Sequence, residues 1–185
     1  MTYLQYLKSR SKLSFVYRRF YLYPKLYENL NAPLLDIGCG IGDFLNYRPD
    51  AIGVDIDPEV VAFCQKFGRN AYYFDGEVLP AKNNSISSVI LDNVLEHIEE
   101  PNDLLTDISR VVKIGGKFVV GVPGRRGYRA DPDHKIYYDE KGVISLIERY
   151  KFCLEKCIHV PFRSNLLNDK IRQYCIYVYF TRVQV

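Results

Sequence analysis

Short, continuous apolar runs alternate with amphipathic stretches along the chain from residue 33 onward. The apolar runs predict buried strands at residues 33–37, 51–55, 70–74, 87–92 and 116–122. The amphipathic stretches predict helices at residues 42–48, 58–67, 102–113 and 140–150. Strands that alternate with helices through short connections form a parallel sheet, and its strands are apolar throughout because helices cover both faces.

The last part of the chain has a different pattern. Two β-rich runs, residues 152–160 and 174–181, are joined by residues 163–173. This linker is shorter than the dozen or more residues that a parallel crossover with a helix requires. We therefore expect the last two strands to be antiparallel. The predicted fold class is α/β, a doubly wound sheet of seven strands, mostly parallel with an antiparallel last strand.

The first predicted strand runs directly into a glycine-rich turn, LLDIGCGIG at residues 34–42. Glycine has no Cβ, so the backbone can turn sharply there and approach a ligand closely. Asp55 ends the next apolar run, seventeen residues after Gly38. In dinucleotide-binding folds, an acidic residue about 20 positions after such a turn binds a ribose hydroxyl. The pattern therefore indicates a cofactor that contains adenosine.

Composition and cysteine usage exclude several classes. The 185 residues are 48% hydrophobic and 25% charged, which is typical of one globular domain. No run approaches the roughly 20 apolar residues of a membrane span, and the start has no signal-peptide pattern, so we expect a cytoplasmic protein. The five cysteines include no CxxC pair and are predicted to be reduced thiols. Cys153, Cys157 and His159 lack the spacing of a closed zinc site, so no metal site is predicted.

Charge is concentrated at the start of the chain. The net charge of +3 is too small to indicate DNA binding. Residues 1–30, which we expect to be helical with an interruption at Pro24, hold one acid, Glu28, and several bases: Lys8, Arg10, Lys12, Arg18, Arg19 and Lys25. One interpretation is a packed cap with a solvated basic face. The other is a lid that binds an acidic or lipid-linked acceptor, with peripheral membrane contact.

Four stretches together resemble the class I S-adenosylmethionine-dependent methyltransferases, specifically the small type 11 group. They are LLDIGCGIGDFL at 34–45, GVDIDPEVV at 53–61, FDGEVLPAKNNSISSVILDNVLEHIEEP at 74–101, and LLTDISRVVKIGGKFVVGVPG at 104–124. The resemblance implies a Rossmann-like fold with an antiparallel final strand. It also implies that S-adenosyl-L-methionine is the cofactor and that the chain is an enzyme that transfers a methyl group.

The resemblance implies cofactor contacts at four places. The first motif, whose backbone holds the methionine portion, corresponds to Asp36, Gly38, Cys39, Gly40 and Gly42. Asp55 matches the acid that binds both ribose hydroxyls, and Ile56 packs on adenine. Asp75 and Gly76 occupy the place where the family binds the adenine edge, and Asp92 and Asn93 lie at the amino-acid end of the cofactor.

Two histidines are candidate general bases for an oxygen acceptor, and His134 is the favoured one. His134 lies in the loop after the fifth strand, where ligand-binding loops are expected, and His97 follows the fourth strand. A loop-ordering role for His134 and a structural role for His97 are the alternatives. Residues assigned to the acceptor are Tyr21, Arg125, Arg126 and Arg129. They favour a small acidic, phosphate-linked or lipid-linked acceptor, such as a quinone, natural-product or polysaccharide precursor, methylated on oxygen or carbon.

The expected organisation is a single domain over residues 1–185. It comprises a helical lid or cap at 1–30, a cofactor-binding half at 33–122, and an acceptor loop with the antiparallel strands at 123–185. RNA methylation is a less favoured alternative, because no RNA-binding module is present and Asp92-Asn93-Val94-Leu95 departs from the Asn/Asp-Pro-Pro-aromatic tetrad. A non-catalytic cofactor-binding protein is the other alternative. The oligomeric state stays open.

Overall fold

The computed structural model describes residues 3–8, 12–27 and 29–184. Its centre is a seven-stranded sheet with the strand order β3-β2-β1-β4-β5-β7-β6. The strands are β1 (Leu34–Ile37), β2 (Ala51–Asp55), β3 (Ala71–Tyr73), β4 (Ile86–Asp92), β5 (Val112–Pro123), β6 (Phe152–Val160) and β7 (Cys175–Arg182). The predicted seven-stranded α/β sheet is confirmed.

Strand direction also follows the prediction. Strands β1 to β5 pair in parallel, with Leu34 opposite Ala51 on one side and Ser88 on the other. Strand β7 is antiparallel to both of its neighbours, β5 and β6. Strand β6 therefore has the same direction as the first five strands, and β7 alone is reversed among the seven.

Helices precede the sheet and cover both of its faces. They are α1 (Tyr3–Lys8), α2 (Lys12–Tyr17), α3 (Tyr23–Tyr27), α4 (Asp43–Tyr47), α5 (Pro58–Lys66), α6 (Asn102–Val111), α7 (Arg125–Tyr128), α8 (Glu140–Ile147) and α9 (Asn165–Lys170). A π-helix, Arg18–Leu22, joins α2 to α3, and 3-10 turns occur at Leu95–His97 and Glu148–Tyr150. Helices α7 and α9 are absent from the sequence-based prediction. Ser164 begins α9 by accepting a hydrogen bond from the Leu167 amide at 3.3 Å.

The core lies on both faces of the sheet. Alternation along β4 places Val89 and Leu91 in one buried cluster and Ile90 in the other. The second cluster includes Tyr23 and Tyr27 from α3, which are 3% and 1% exposed. The end of the amino-terminal segment is therefore part of the hydrophobic core.

The strand order reverses between β1 and β4, which are neighbours in the sheet. At such a point the loops after the two strands diverge and leave a crevice at the carboxyl edge. The glycine turn follows β1, and residues 93–98 follow β4. A Cβ atom built on Gly38 would overlap the side chain of Val94, so these two loops are in contact.

This contact gives a testable prediction about stability. We expect Gly38→Ala to lower the free energy of unfolding by about 2 kcal/mol, because its φ of +74° disfavours a Cβ and because the Cβ meets Val94. Gly115→Ala is the matched control, since its φ is +77° but a Cβ there has nothing within 4 Å. Urea unfolding of both variants, and of Gly38→Ala with Val94→Ala, measures the two contributions. Equal losses at Gly38 and Gly115 would contradict the steric part.

Candidate functional site

A cavity of about 840 Å³ opens at the carboxyl ends of β1, β2 and β4. This volume lies in the range of sites for small molecules and cofactors. One wall comes from the amino-terminal segment, which contributes Tyr3, Leu7, Arg18, Tyr23 and Tyr27. The amino-terminal helices thus enclose a crevice that the sheet alone would leave open.

The glycine turn is held in place by main-chain hydrogen bonds to β2. The amides of Gly38 and Cys39 donate to the Val54 carbonyl at 2.8 and 3.1 Å. The Gly40 amide donates to Asp55 Oδ2 at 2.9 Å, and the Asp57 amide donates to Asp55 Oδ1 at 3.0 Å. Each oxygen of this carboxylate keeps further acceptor capacity. Asp55 lines the cavity, is 4% exposed, and is thus a fixed acceptor pair for hydroxyl groups.

Among the carboxyl groups that line the cavity, Asp36 and Asp55 are buried and Asp92 is half-buried. Burial raises the pKa of Asp36 well above its usual value, and the charges of Asp92 and Asp55 raise it further. Burial also raises the pKa of Asp55, against the hydrogen bonds from Asp57 and Gly40, and that of Asp92, against the charge of Arg18. Repulsion among these acids would decrease if a cationic group entered the cavity.

The raised pKa of Asp36 gives a second prediction. A carboxyl with a folded pKa above its unfolded value of 3.8 adds stability at low pH that is lost as pH rises. We therefore expect Asp36→Asn to unfold at higher urea concentration than wild type at pH 8, with a gain that shrinks toward pH 4. The maximum slope is about 1.4 kcal/mol per pH unit.

Asp50→Asn is the matched control for Asp36→Asn. The hydrogen bond from Arg48 lowers the pKa of Asp50, so its contribution to stability is present above the unfolded pKa and is lost as pH falls. The control is thus expected to change stability in the opposite direction. Identical pH profiles for wild type and Asp36→Asn would contradict the assignment.

Arg18 is a site residue that sequence reasoning does not identify. Among the described residues that line the cavity, it is the only arginine or lysine. Burial alone would lower its pKa, but Tyr23 and Asp92 raise it above the usual value. Asn93 Nδ2 donates to Asp92 Oδ1 at 2.7 Å. The sequence offers no signal that distinguishes Arg18 from its neighbour Arg19.

Most of the predicted cofactor residues meet at the cavity. Those that line it are Asp36, Gly38, Cys39, Gly40, Asp55, Ile56, Gly76, Asp92 and Asn93. Gly42 and Asp75 lie outside the lining. Gly42 precedes α4 with a φ of +73°, and its amide donates to the Cys39 carbonyl at 2.9 Å. Asp75 Oδ1 accepts a hydrogen bond from the Glu77 amide at 3.0 Å, so its carboxylate holds a turn.

The two predicted histidines are neighbours, but only His97 lines the cavity. Their rings meet edge to face with centroids 4.6 Å apart, and the His134 ring stacks on Tyr128. Burial lowers the pKa of His97, and the charge of His134 lowers it further. His97 is thus favoured in its neutral form, which can accept a proton. Burial, with a smaller contribution from Asp92 and Asp131, raises the pKa of the adjacent Glu96 to about 8.

The four residues assigned to the acceptor lie outside the cavity lining and are exposed. Arg125 follows β5, and its amide donates to Asn168 Oδ1 at 2.7 Å while its guanidinium lies 3.5 Å from Asp169. Arg126 and Arg129 are on the same short helix and its end. Tyr21 accepts a hydrogen bond from Lys25 at 3.3 Å. Any contact of these residues with an acceptor would therefore be at the protein surface.

A second polar cluster comprises Glu140 at the start of α8 and Cys157 and His159 on β6. His159 Nε2 is 3.0 Å from Glu140 Oε2, and His159 Nδ1 is 2.7 Å from the Tyr174 hydroxyl. Arg163 also binds the Glu140 carboxylate. Both ring nitrogens of His159 are already hydrogen-bonded, so this cluster is internally satisfied.

Residues 35–120 match the family described as a methyltransferase domain, in its type 11 group. This match supports the class I S-adenosylmethionine-dependent methyltransferase family for this part of the chain. A methyltransferase of undetermined role from Mycobacterium bovis is 38% identical over 95 residues, which are 47% of this chain and 37% of the relative. The predicted family and its cofactor are confirmed. The chain spans half or less of the length of the curated relatives it matches.

Solved methyltransferases share the fold over almost the whole chain. A Haloferax volcanii methyltransferase, solved in complex with the Trm112 methyltransferase activator, has a TM-score of 0.77 and 12% identity, and the match covers 98% of both chains. A methyltransferase from Archaeoglobus fulgidus has a TM-score of 0.69 and 19% identity, with 95% of this chain and 96% of that chain covered. At these identities the likeness shows the fold alone. None of the helices in the described part of the chain is both long and apolar enough to cross a bilayer.

Proposed function

We propose that this chain transfers a methyl group from S-adenosylmethionine to an oxygen or carbon atom of a small acceptor. The observation that carries the proposal is the enclosed cavity, in which the glycine turn, the buried acids and the amino-terminal wall converge. The cofactor supplies an electrophilic methyl group on a sulfonium. The chain's own residues orient the two reactants and exclude water, and such positioning is worth on the order of 7–11 kcal/mol.

Several groups support specific cofactor contacts. We assign both ribose hydroxyls to Asp55, and the Gly40 and Asp57 amides, which hold its carboxylate, support this assignment. Asp36 and Asp92 supply negative charge for the cationic amino-acid end. Gly76 has a φ of +95°, and a Cβ there would meet nothing within 4 Å, which leaves room for adenine beside Ile56. We propose all of these cofactor contacts. Gly42 and Asp75 are proposed to act indirectly, through the turns that they stabilise.

The acceptor's chemistry follows from the cavity wall. Arg18 is the one arginine or lysine among the described residues of the lining, and Tyr3, Tyr23 and Tyr27 add aromatic side chains to it. This lining favours an acceptor with an apolar or aromatic body and at most one acidic group. A phosphate-linked or lipid-linked acceptor would extend out of the cavity to meet Arg125, Arg126 and Arg129 at the surface.

We assign proton removal from an oxygen acceptor to His97; its position in the cavity lining and its lowered pKa, which favours the neutral ring, support the assignment. We expect His97→Asn to lower the turnover number by about 100-fold while the affinity for S-adenosylhomocysteine stays within a few-fold. His134→Asn is expected to act through His97 and to lower turnover less. Radiolabelled methyl transfer and calorimetry measure the two quantities. Equal turnover in wild type and His97→Asn would remove this role.

Two measurements test the proposed activity. Calorimetry with S-adenosylhomocysteine, and competition against NAD in a melting assay, test whether the adenosine site prefers the methyltransferase cofactor. Labelled S-adenosylmethionine is then incubated with quinols, hydroxylated aromatic compounds and sugar phosphates. Label on a small molecule supports the proposal. Binding without transfer to any acceptor class would instead favour a non-catalytic cofactor-binding protein, and no binding would overturn the activity altogether.

RNA is the second candidate acceptor. The similar Haloferax volcanii protein was solved in complex with a methyltransferase activator. The RNA alternative for this chain therefore includes a partner protein of that kind. Basic residues contact RNA phosphates, and such binding weakens steeply with salt. We expect no shift of transfer or ribosomal RNA at low salt. A shift together with labelled RNA would replace the small-molecule acceptor.

A further inference from the structure

Two imidazoles and one carboxyl group meet beside the cavity. Glu96 and His97 lie on the 3-10 turn after β4, and His134 lies in the loop after α7. One ligand atom from each of the three residues lies within 4.8 Å of the other two. Two histidines with one carboxylate form a donor set that suits divalent transition metals.

The hydrogen bonds of His134 determine which of its nitrogens is free. Nδ1 is 2.8 Å from the Tyr128 carbonyl oxygen. A carbonyl can only accept a hydrogen bond, so Nδ1 carries the proton, and Nε2 of the neutral ring has a lone pair. A ligating histidine commonly donates its other ring N–H to a main-chain carbonyl in this way. Nε2 faces Glu96 Oε1 at 3.8 Å, which is too long for a hydrogen bond.

Main-chain contacts hold the two segments together without using the side chains. The amides of Lys135 and Ile136 donate to the Glu96 carbonyl at 2.7 and 3.2 Å. His134 is held further by its stacking on Tyr128, with 17° between the ring planes. Glu96 and His134 are thus positioned by contacts that do not use the atoms that would bind a ligand.

The Glu96 side chain lacks the hydrogen-bond partners that a buried carboxyl group normally has. It is 1% exposed, and within the described residues neither of its oxygens has a hydrogen-bond partner. Burying an unpaired carboxyl group is costly, so native structures pair such groups with donors, cations or metals. The comparable cluster at Glu140 differs, because Arg163 and Tyr174 already satisfy its members.

We propose that Glu96, His97 and His134 bind one divalent transition-metal cation at the edge of the cavity. A cation there binds the unpaired carboxylate and one lone pair on each ring. Three protein ligands leave at least one coordination position open. His97 is the ligand that borders the cavity, so the open position is reached from that side.

A consequence for the reaction rests on the proposed function. A cation beside the cavity binds an acceptor oxygen and lowers its pKa, so the acceptor loses its proton to solvent without a free histidine. His97 then acts as a metal ligand in the loaded protein and as a proton acceptor only in the metal-free one. The turnover of His97→Asn falls in both cases, so metal binding has to be measured directly.

The test is a titration of the chelator-treated, full-length protein with zinc chloride and with manganese chloride, without cofactor. We expect one ion per chain, detected by calorimetry and by metal analysis after dialysis. Glu96→Gln and His134→Asn are expected to weaken binding by more than about 100-fold. His159→Asn, in the satisfied cluster, is the matched control and is expected to bind like wild type.

Three outcomes decide the proposal. One ion per chain that is lost in both variants and kept in His159→Asn supports it. No binding by wild type, or equal affinity in wild type and His134→Asn, overturns it. S-adenosylhomocysteine binding is measured in the same samples, so a protein that binds the cofactor product but no metal fails only this inference. Retained cofactor-product affinity in His134→Asn also shows that the variant is folded.

Discussion

Asp55→Ala is expected to lower the affinity for S-adenosylhomocysteine by about 1,000-fold. Two hydrogen bonds from ribose hydroxyls to a buried carboxylate are each worth about 1.5–3 kcal/mol, and the variant loses both. In the variant, the Gly40 and Asp57 amides that orient Asp55 also lose their acceptor. Isothermal calorimetry measures the loss.

The controls for Asp55 separate ligand contact from folding. Asp57 caps α5 by accepting hydrogen bonds from the Glu59 and Val60 amides, so Asp57→Ala costs about 1 kcal/mol of stability. Asp169→Ala removes an exposed carboxylate that pairs only with Arg125 among the described residues, and is expected to bind like wild type. Affinity of Asp55→Ala within threefold of wild type would contradict the ribose assignment.

Arg18→Met is expected to lower the free energy of unfolding by about 3 kcal/mol. The substitution keeps most of the apolar stem but removes the positive charge that offsets the Asp92 carboxylate. Removing that charge is destabilising because the carboxylate loses its compensating cation. Arg19→Met is a close control, since Arg19 is exposed and donates to the Asn46 carbonyl at 3.2 Å.

A double variant tests whether the loss at Arg18 comes from Asp92. In Arg18→Met with Asp92→Asn the carboxylate is gone, so most of the lost stability is expected to return. Urea unfolding at pH 7 measures all four proteins of this cycle. Additive losses, or equal losses for Arg18→Met and Arg19→Met, would show that Arg18 contributes packing rather than charge compensation.

Local pattern predicted the sheet well because its strands are buried on both faces. Continuous apolar runs such as Leu34–Ile37 have no alternative to burial, and the strand bounds were within a few residues. The start of β5 was missed, since it begins at Val112 rather than residue 116. Its first residues include exposed ones, and they pair with β4 at Ile86, a contact that local pattern does not show.

The candidate site was predictable only where spacing along the chain carries the chemistry. The spacing along the chain between the glycine turn and Asp55 is set by one helix and two strand ends. The sequence pattern therefore identifies Asp55. Glu96 and His134 are 38 positions apart, and their contact depends on main-chain hydrogen bonds between the two segments. Local sequence pattern does not predict this contact. The inward position of Arg18 depends on the π-helix, in which the Tyr23 amide donates to the Arg18 carbonyl.

The loop arginines were assigned to the acceptor from the sequence but lie outside the cavity lining. Arg125 follows β5, where ligand-binding loops are expected, and nothing in the sequence indicates that it lies away from the cavity. The structure pairs it with Asp169 on α9, a helix that the β-rich pattern of the tail did not predict. A short helix with few apolar residues gives only a weak periodic signal in the sequence. The start of α9 is determined by a single cap at Ser164.

The two edge strands of the sheet determine whether a strand of another chain can pair with it. Strand β3 is an edge only three residues long. Strand β6 is the other edge, and its register shifts between Leu154 and Lys156, where Glu155 binds Lys117 at 2.6 Å. Short edges, bulges and edge charges prevent chains from joining by strand addition. At high concentration, the sheet is therefore protected against edge-to-edge aggregation without a further element to cover it.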